Sequence, residues 1–463
     1  MTPHTVILGG GPAAINAIET IRLFDAGSSR ITLVSDEPAY ARMALPYYLA
    51  DTIPLKHLFT ADADYYDRLK VQRRIGPRAV EVRPQQHLVK LSDGTQMHFD
   101  SLLIATGSAA TIPPIPGADL PGVWPLWTLG HTQALLRHLQ GLSRPEIAFV
   151  GAGFIGLIVL NAAYKRGWKL HLIEIADQVL PRMLDRESAR MAEKWLQDKG
   201  VGVHLNTTVE RIAEHGTRKR LRLRGGDELE VDAVVLATGI RPNIDFLADS
   251  GILIDQGIVV NDRMQTNYEF IYAAGDVAQG PDLLGGPPAV HAIQPTAVDH
   301  GRVAGANIAG RDVRYSGSLL MNILDVCGLQ CASFGRWADT SLEAMTLANA
   351  ELPVYRKLLW EGDRLVGAIL VGAADNLGML NDLGMIKGLI QARIPFGTWK
   401  EYLRDNPFDV RRPFIGLKVG KKLAETTLLG LPAVPRQFRF GDRQPRPMPT
   451  LPQAHTTYVE TKP

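Results

Sequence analysis

One pattern occurs twice in this 463-residue chain: a strand-like apolar run, a Gly-rich turn, an amphipathic helix and a second apolar run. Elements in this order form parallel sheets with helices on their faces. The pattern therefore predicts an α/β protein with two dinucleotide-binding units of the Rossmann type. These segments are residues 6–8, 9–14, 14–23 and 31–34 in the first copy, and residues 147–150, 151–156, 156–166 and 170–173 in the second.

Both turns have the composition that a dinucleotide pyrophosphate requires. Backbone N–H groups at a helix N-terminus bind phosphate, and a Cβ in the turn would hold the phosphate away. A single such motif also fits an ordinary tight connection, but two motifs in the same context favour two bound dinucleotides. The residues expected to contact them are Gly9, Gly11, Pro12, Ala13 and Ala14 in the first turn, and Gly151, Gly153, Ile155 and Gly156 in the second.

An acidic residue after each unit's second strand is expected to bind the adenosine ribose. Glu174 directly follows the strand 170–173, where a carboxylate accepts hydrogen bonds from the ribose and repels a 2′-phosphate. This position favours NADH over NADPH. In the first unit Ser35 is followed by Asp36 and Glu37. We expect Asp36 to be the ribose contact, and a solvated turn is the alternative.

Composition narrows the classes of partner and site. The chain has 50 Lys and Arg against 48 Asp and Glu, which gives no basic excess for nucleic acid. Its two cysteines exclude a disulfide framework and a four-thiolate metal site. The apolar runs are shorter than the roughly 20 residues that span a bilayer. We expect a soluble cytoplasmic protein with no nucleic-acid partner, no membrane span and no metal.

Pro- and Gly-rich segments separate the two units from a third region. Residues 110–125 contain five prolines and predict a connector, and residues 280–288 predict an irregular loop. Hairpin strands are expected at 355–360 and 364–371, followed by helices at 377–392 and 398–404. The last 33 residues carry seven prolines and four arginines and resemble an extended arm.

Three further motifs accompany the Gly-rich turns: Leu103-Ile104-Ala105-Thr106-Gly107, Val235-Leu236-Ala237-Thr238-Gly239 and Ile271-Tyr272-Ala273-Ala274-Gly275-Asp276. With them, residues 4 to about 410 resemble the FAD- and NAD-dependent oxidoreductases of the pyridine nucleotide–disulfide reductase superfamily. The likeness is to the branch of ferredoxin and rubredoxin reductases, NADH oxidases and the flavin portion of nitrite reductases.

The resemblance implies a domain plan and a set of FAD contacts. FAD would lie across residues 1–112 and 241–315, with an NAD domain, 113–240, inserted between them. Residues 316–418 would form an α+β interface domain of a homodimer, and 419–463 an extended Pro-rich tail. The implied contacts are Arg42 at the FAD pyrophosphate, Asp276 at the ribityl chain, and Ala105, Thr106, Gly107, Gly239, Gly275, Pro295, Thr296 and Ala297.

Several positions depart from the family pattern. Met43 stands where many relatives have a redox cysteine, and Tyr47 stands where ferredoxin reductases have a lysine. Tyr47 or Tyr48 is expected to neighbour the flavin, and an aromatic core role is the alternative. Ile158 and Asn161 stand where acidic residues are usual, so the nicotinamide pocket is expected to lack a polar anchor.

The two cysteines are the candidates to replace the missing thiol, and one histidine is a candidate to lie near the flavin ring. Cys327 and Cys331 lie in a segment predicted to be mostly strand, which would hold their Cα atoms about 13 Å apart. We expect both thiols to be buried and inert. His291 is expected to hydrogen-bond to backbone in a loop, and proximity to the flavin ring is the alternative.

The resulting expectation is an FAD-dependent NADH oxidoreductase that takes a hydride onto flavin N5. It would pass electrons to a separate acceptor, a redox protein with an iron–sulfur or haem centre. One alternative is an NADH oxidase that forms peroxide. The other is a slow or non-catalytic FAD-binding subunit of a larger redox complex.

Overall fold

The structure of the chain is a computed structural model that describes residues 2–349, 351–425 and 427–431. Its first sheet is parallel and has five strands. Helix Pro12–Asp25 packs across helix Gln294–Ile308 beside it. A Cβ on Gly301 would lie 2.2 Å from the carbonyl oxygen of Ala13, so only glycine permits this close crossing. The strands follow the order Ile271–Ala273, Ser101–Ile104, His4–Leu8, Arg30–Ser35 and Val71–Ile75.

The second sheet is also parallel and five-stranded, and its Gly-rich turn leads into helix Phe154–Lys165. Helices Leu129–His138 and Arg186–Asp198 belong to the same unit. The strand order is Gly202–His204, Lys169–Ile173, Glu146–Val150, Ala233–Leu236 and Val123–Trp124, and an antiparallel sheet of Val209–His215, Arg218–Leu223 and Glu228–Val231 packs on it.

The third sheet is antiparallel and has five strands. Its order is Met321–Val326, Leu329–Gly335, Arg364–Ala373, Val354–Glu361 and Glu343–Asn349, and the helices that follow are Leu377–Ala392, Trp399–Asp405, Arg411–Gly416 and Val419–Glu425.

Short elements complete the described chain. Helices Leu45–Leu49 and Ala63–Arg68 lie between the second and third strands of the first unit. The short strands are Ala79–Arg83, Leu88–Leu91, Gln96–His98, Ser108–Ala110, Ile240–Pro242, Ile258–Val259 and Ala278–Gln279, and the 3-10 helices are Arg42–Ala44, Leu55–Leu58, Pro84–Gln86, Asp245–Leu247 and Gly275–Val277.

This architecture confirms the predicted fold class, two parallel-sheet α/β units followed by an α+β unit. Strands Ser108–Ala110 and Ile240–Pro242 pair antiparallel, so the chain leaves the first unit and returns to it at the same place. No helix in the described part of the chain is both long and apolar enough to cross a bilayer.

Two local expectations are corrected. The run containing Cys327 and Cys331 is not one extended segment, because the chain reverses at Cys327 and Gly328 between two antiparallel strands. Cys327 has a φ of +52°, in the left-handed region, and this makes the two-residue turn. The expected extended tail begins instead with helix Val419–Glu425, and residues 432–463 lie outside the described residues.

Candidate functional site

A cavity of about 2230 Å³ lies where the carboxyl ends of the strands of the first two sheets meet. Residues 320–323, at the beginning of the third sheet, add to its wall. In open α/β sheets, ligands bind at the carboxyl ends of the strands. The volume is more than twice the upper end of the usual range for a small-molecule pocket, about 1,000 Å³, so two large ligands can share it.

The first Gly-rich turn opens one end of this cavity to phosphate. Gly9 has a φ of +104°, and a Cβ there would lie 2.1 Å from the carbonyl oxygen of Ala105. Gly11 has no atom near its Cβ position, and no side chain caps the N-terminus of helix Pro12–Asp25. The exposed N–H groups therefore fit an anionic ligand. Gly9, Gly11, Pro12 and Ala13 line the cavity, whereas Ala14 is buried behind them.

The two acidic residues after the first unit's second strand have different partners. Asp36 forms an exposed ion pair with Arg78 at 2.6 Å. Glu37 accepts hydrogen bonds from Tyr40 Oη at 3.0 Å and from the Arg42 guanidinium at 2.8 Å. Both Asp36 and Glu37 line the cavity, so the ribose contact expected at Asp36 stays a prediction.

The Ala-Thr-Gly segment and Asp276 face the same space from the first sheet. Asp276 accepts a hydrogen bond of 2.6 Å from the hydroxyl of Ser108, which directly follows Gly107. Helix Gln294–Ile308 begins at the cavity without a capping side chain, with Pro295 in its first turn. Residues Ala105, Thr106, Gly107, Gly239, Gly275, Asp276, Pro295 and Ala297 line the cavity, and Thr296 is buried away from it.

The second Gly-rich turn repeats this geometry. Gly151 has a φ of +106°, and a Cβ there would lie 2.4 Å from the carbonyl oxygen of Ala237. Gly153 is open toward the cavity, and Ile155 also lines it. Gly156 does not line it. A Cβ on Gly156 would lie 2.3 Å from the carbonyl oxygen of Gly151, so this glycine serves helix–strand packing.

Glu174 lines the cavity but is only 8% exposed. Its two carboxylate oxygens accept hydrogen bonds from the backbone N–H groups of Ala152, at 2.6 Å, and Ala176, at 2.9 Å. The carboxylate therefore also holds the second turn in place. This role could not be predicted from the sequence, because it depends on contacts with backbone rather than on residue type.

Apolar side chains from all three units meet between the two turns. Met43 and Leu45 come from the first unit, Ile158 from the second, and Met321 and Ile323 from the third. Met43 is 49% exposed, so position 43 faces the cavity without a thiol.

Two sequence expectations near this apolar end are corrected. Tyr47 is 58% exposed and lies outside the cavity wall, because the short helix Leu45–Leu49 turns Leu45, Pro46 and Leu49 inward instead. Asn161 also lies outside it. Its side-chain oxygen accepts a 3.2 Å hydrogen bond from the N–H of Cys327. His291 hydrogen-bonds to Ser318, to its hydroxyl at 2.7 Å and to its backbone, as expected for a loop histidine, and it does not line the cavity.

The thiols do not reach the cavity. Cys327 and Cys331 are both buried and unpaired, and burial raises the pKa of Cys327 to about 12. Burial also raises the pKa of Cys331. Neither thiol is therefore available as a thiolate near neutral pH. Among the described residues, no three His, Cys, Asp or Glu side chains are arranged to hold a metal ion.

The wall as a whole fits two dinucleotides. It has two glycine turns that lead into helices without a capping side chain, the Glu174 carboxylate beside the second turn, and an apolar region between the turns where two planar rings can meet. A Cβ at Gly11 or Gly153 would enter the space that a phosphate needs.

Known proteins are similar to this chain in sequence and in fold. Residues 3–297 match the pyridine nucleotide-disulphide oxidoreductase family, and residues 321–383 match the rubredoxin NAD+ reductase C-terminal domain. The chain is 34% identical over 368 residues to rhodocoxin reductase of Rhodococcus erythropolis, covering 78% of this chain and 84% of the relative. It is 32% identical over 418 residues to the epsilon subunit of NADH-dependent phenylglyoxylate dehydrogenase of Aromatoleum evansii, covering 88% and 97%.

A solved structure agrees in fold. Putidaredoxin reductase, in its covalent complex with putidaredoxin, superposes with a TM-score of 0.80 at 23% identity, over 90% of this chain and 99% of the other. The first family match contains both Gly-rich turns and covers more than half of the chain, which confirms the family expected from the motifs. The chain therefore belongs to the pyridine nucleotide-disulphide oxidoreductase family, and it is an NAD(P)H-dependent flavin oxidoreductase.

Proposed function

We propose that the chain oxidises NADH with FAD and passes the electrons to a separate redox protein that carries an iron–sulfur or haem centre. The proposal rests mainly on the side chain at position 43 of the cavity wall, which is a methionine. Met43 faces the cavity where a thiol would be needed to reduce a disulfide or a peroxide, and both cysteines are buried. Rhodocoxin reductase and putidaredoxin reductase, by their names, reduce other proteins.

The residues of the chain bind and orient the reactants. The first turn, Arg42 and Asp276 would hold FAD, while the second turn and Glu174 would hold NADH. Bound FAD would supply the redox chemistry, since it accepts a hydride from NADH and can release electrons singly. The apolar side chains Met43, Ile158 and Ile323 exclude water from the place where the rings meet.

The remaining parts of the proposal concern the coenzyme and the assembly. Glu174 supports NADH over NADPH, because its carboxylate repels a 2′-phosphate. We assign FAD to residues 1–112 and 241–315 and NADH to residues 113–240. Residues 316–418 would form the interface of a cytoplasmic homodimer.

Anaerobic stopped-flow absorbance tests the proposal. We expect FAD-loaded protein to bleach on mixing with NADH and to bleach more slowly with NADPH. An oxidised ferredoxin or rubredoxin should then restore the flavin absorbance. Protein that stays colourless in excess FAD, or that NADH does not bleach, contradicts the proposal. Stoichiometric peroxide in air, with no electron transfer to either protein, would instead support the NADH oxidase alternative.

A second candidate is a slow FAD-binding subunit of a larger redox complex. The relative from Aromatoleum evansii is by its name one subunit of a dehydrogenase, and this chain covers 97% of its length. The apolar Ile158 in the cavity wall supports slow hydride transfer. Deletion of residues 432–463 tests whether the tail joins such a complex. Unchanged size and unchanged co-purifying proteins in native extract would count against that role.

A further inference from the structure

The Arg42 guanidinium is fixed in the cavity wall by residues that the family motifs do not single out. One of its nitrogens donates to Glu37 at 2.8 Å, and another donates to the carbonyl oxygen of Ser108 at 3.3 Å. Its carbon lies 5.1 Å from the centre of the Trp127 ring. We propose that Glu37 and Trp127 are positioning residues that hold Arg42 toward the phosphates of FAD. The inference rests on the proposed function, because it takes FAD as the ligand at the first turn.

The donor count leaves Arg42 able to bind a phosphate. A guanidinium has five N–H donors in a fixed plane, and the two contacts with Glu37 and Ser108 use two of them. Three donors remain for a ligand in the cavity that Arg42 lines. A planar guanidinium whose orientation is already fixed loses less side-chain entropy when it binds phosphate.

Trp127 connects this arginine to the Asp276 side of the site. Its indole N–H donates to the same Ser108 carbonyl oxygen at 2.6 Å. The Ser108 hydroxyl donates to Asp276 at 2.6 Å. Ser108 is buried. It therefore links Arg42, on the pyrophosphate side of the expected FAD position, to Asp276, on the ribityl side. The indole, held by its own hydrogen bond, presents a flat face over which the guanidinium lies at cation–π distance.

Glu37 is held from the other side. The Tyr40 hydroxyl donates to its carboxylate at 3.0 Å and accepts the N–H of Leu129 at 3.1 Å. Leu129 begins helix Leu129–His138, so the Glu37 carboxylate is tied to a helix of the second unit. Glu37 brings a negative charge near a phosphate site, which by itself weakens phosphate binding. Its net benefit must therefore come from orienting Arg42.

The FAD dissociation constant of the full-length chain, measured from the fluorescence of released flavin, tests this role. We expect W127L and E37A each to raise it about tenfold. W127F keeps an aromatic face and E37Q keeps a hydrogen-bond acceptor without the charge, so each should raise it less than about threefold. E81A breaks the exposed Glu81–Arg83 pair of the same unit, outside the cavity, and is the matched control with no expected change.

Double variants separate positioning from direct contact with FAD. In an R42A background, W127L and E37A should change the dissociation constant less than about twofold, because the group that they position is gone. An equal loss in both backgrounds, or no loss from either single variant, overturns the inference. If W127L does not fold, W127F and E37A decide. A wild-type chain that binds no FAD overturns the proposed function as well, whereas tight binding by every variant overturns the positioning role alone.

Discussion

At the scale of single residues, Gly153 and Gly156 of the second Gly-rich turn have different roles. We expect G156A to lower the free energy of unfolding by about 2 kcal/mol or more, because its Cβ would lie 2.3 Å from the carbonyl oxygen of Gly151. G153A meets no atom within 4 Å and should cost less than about 1 kcal/mol. It should nevertheless weaken NADH binding, since its Cβ enters the phosphate space. Urea unfolding and NADH titration distinguish the two, and equal stability losses would contradict this division.

The cysteines give a second prediction at this scale. Burial raises the pKa of both thiols, that of Cys327 to about 12, so the native protein should react with neither a disulfide reagent nor iodoacetamide at pH 7.5. After denaturation, two thiols should titrate. NADH-dependent bleaching should be unchanged by iodoacetamide. Rapid loss of bleaching would show that a thiol takes part.

At the scale of elements, helix Phe154–Lys165 contacts the cavity with one face and the third unit with another. Ile158 faces the cavity and Asn161 faces the Cys327 turn. We expect I158E to raise the rate of bleaching by NADH about three- to tenfold, because a carboxylate there can orient the nicotinamide amide. N161A should leave this rate within twofold and lower stability by about 1–2 kcal/mol, because the buried Cys327 N–H loses its acceptor. A slower I158E would contradict the assignment.

The two faces of this helix show what sequence can and cannot provide. The helix itself, its glycine turn and both neighbouring strands were predictable, because apolar periodicity and the phosphate requirement act over adjacent residues. Asn161 was misplaced because its partner, Cys327, is 166 residues away. Tyr47 was misplaced because the direction of a five-residue helix depends on what it packs against. Contacts that are distant in sequence decided both.

A buried histidine on helix Gln294–Ile308 gives a pH prediction. Burial lowers the pKa of His300 to about 4, with a smaller effect from nearby His291, and its ring nitrogens lack hydrogen-bond partners among the described residues. The unfolded chain, with an ordinary pKa of about 6.5, binds the proton more readily. Stability should therefore fall as the pH drops from 6.5 to 4. The slope of unfolding free energy against pH should be smaller in H300Q, and an equal slope would contradict this.

At the scale of the whole molecule, the shape of the cavity depends on the relative positions of the three units that line it. The hairpin turn at Cys327 is tied to the second unit by Asn161 and by the indole N–H of Trp195, which donates to the Cys327 carbonyl at 3.1 Å. The Arg166 guanidinium donates a hydrogen bond to the carbonyl oxygen of Leu49, the last residue of the short helix Leu45–Leu49 that follows Met43. The three units could be predicted from the sequence. The contacts that bring Met43, Ile158 and Ile323 together could not.

Asp185 makes a further contact between the second and third units, and its substitution measures how much this contact contributes to stability. It caps helix Arg186–Asp198 and accepts hydrogen bonds from Tyr355 at 2.6 Å and Lys357 at 2.9 Å in the third sheet. Burial raises the pKa of Asp185, but these hydrogen bonds outweigh burial and hold it below its ordinary value. The stability that it contributes is therefore present above about pH 4 and is lost as the pH falls through the lowered pKa.

D185N should remove this acid-dependent part and make the linkage between the second and third units easier to cleave by limited proteolysis at pH 7. D62N is the matched control, because Asp62 caps helix Ala63–Arg68 through the N–H of Tyr65 within one unit. It should leave the cleavage pattern unchanged. If D185N and D62N lose the same stability, with the same pH dependence and the same cleavage, then Asp185 acts only as a helix cap and the three units are held together by their apolar contacts.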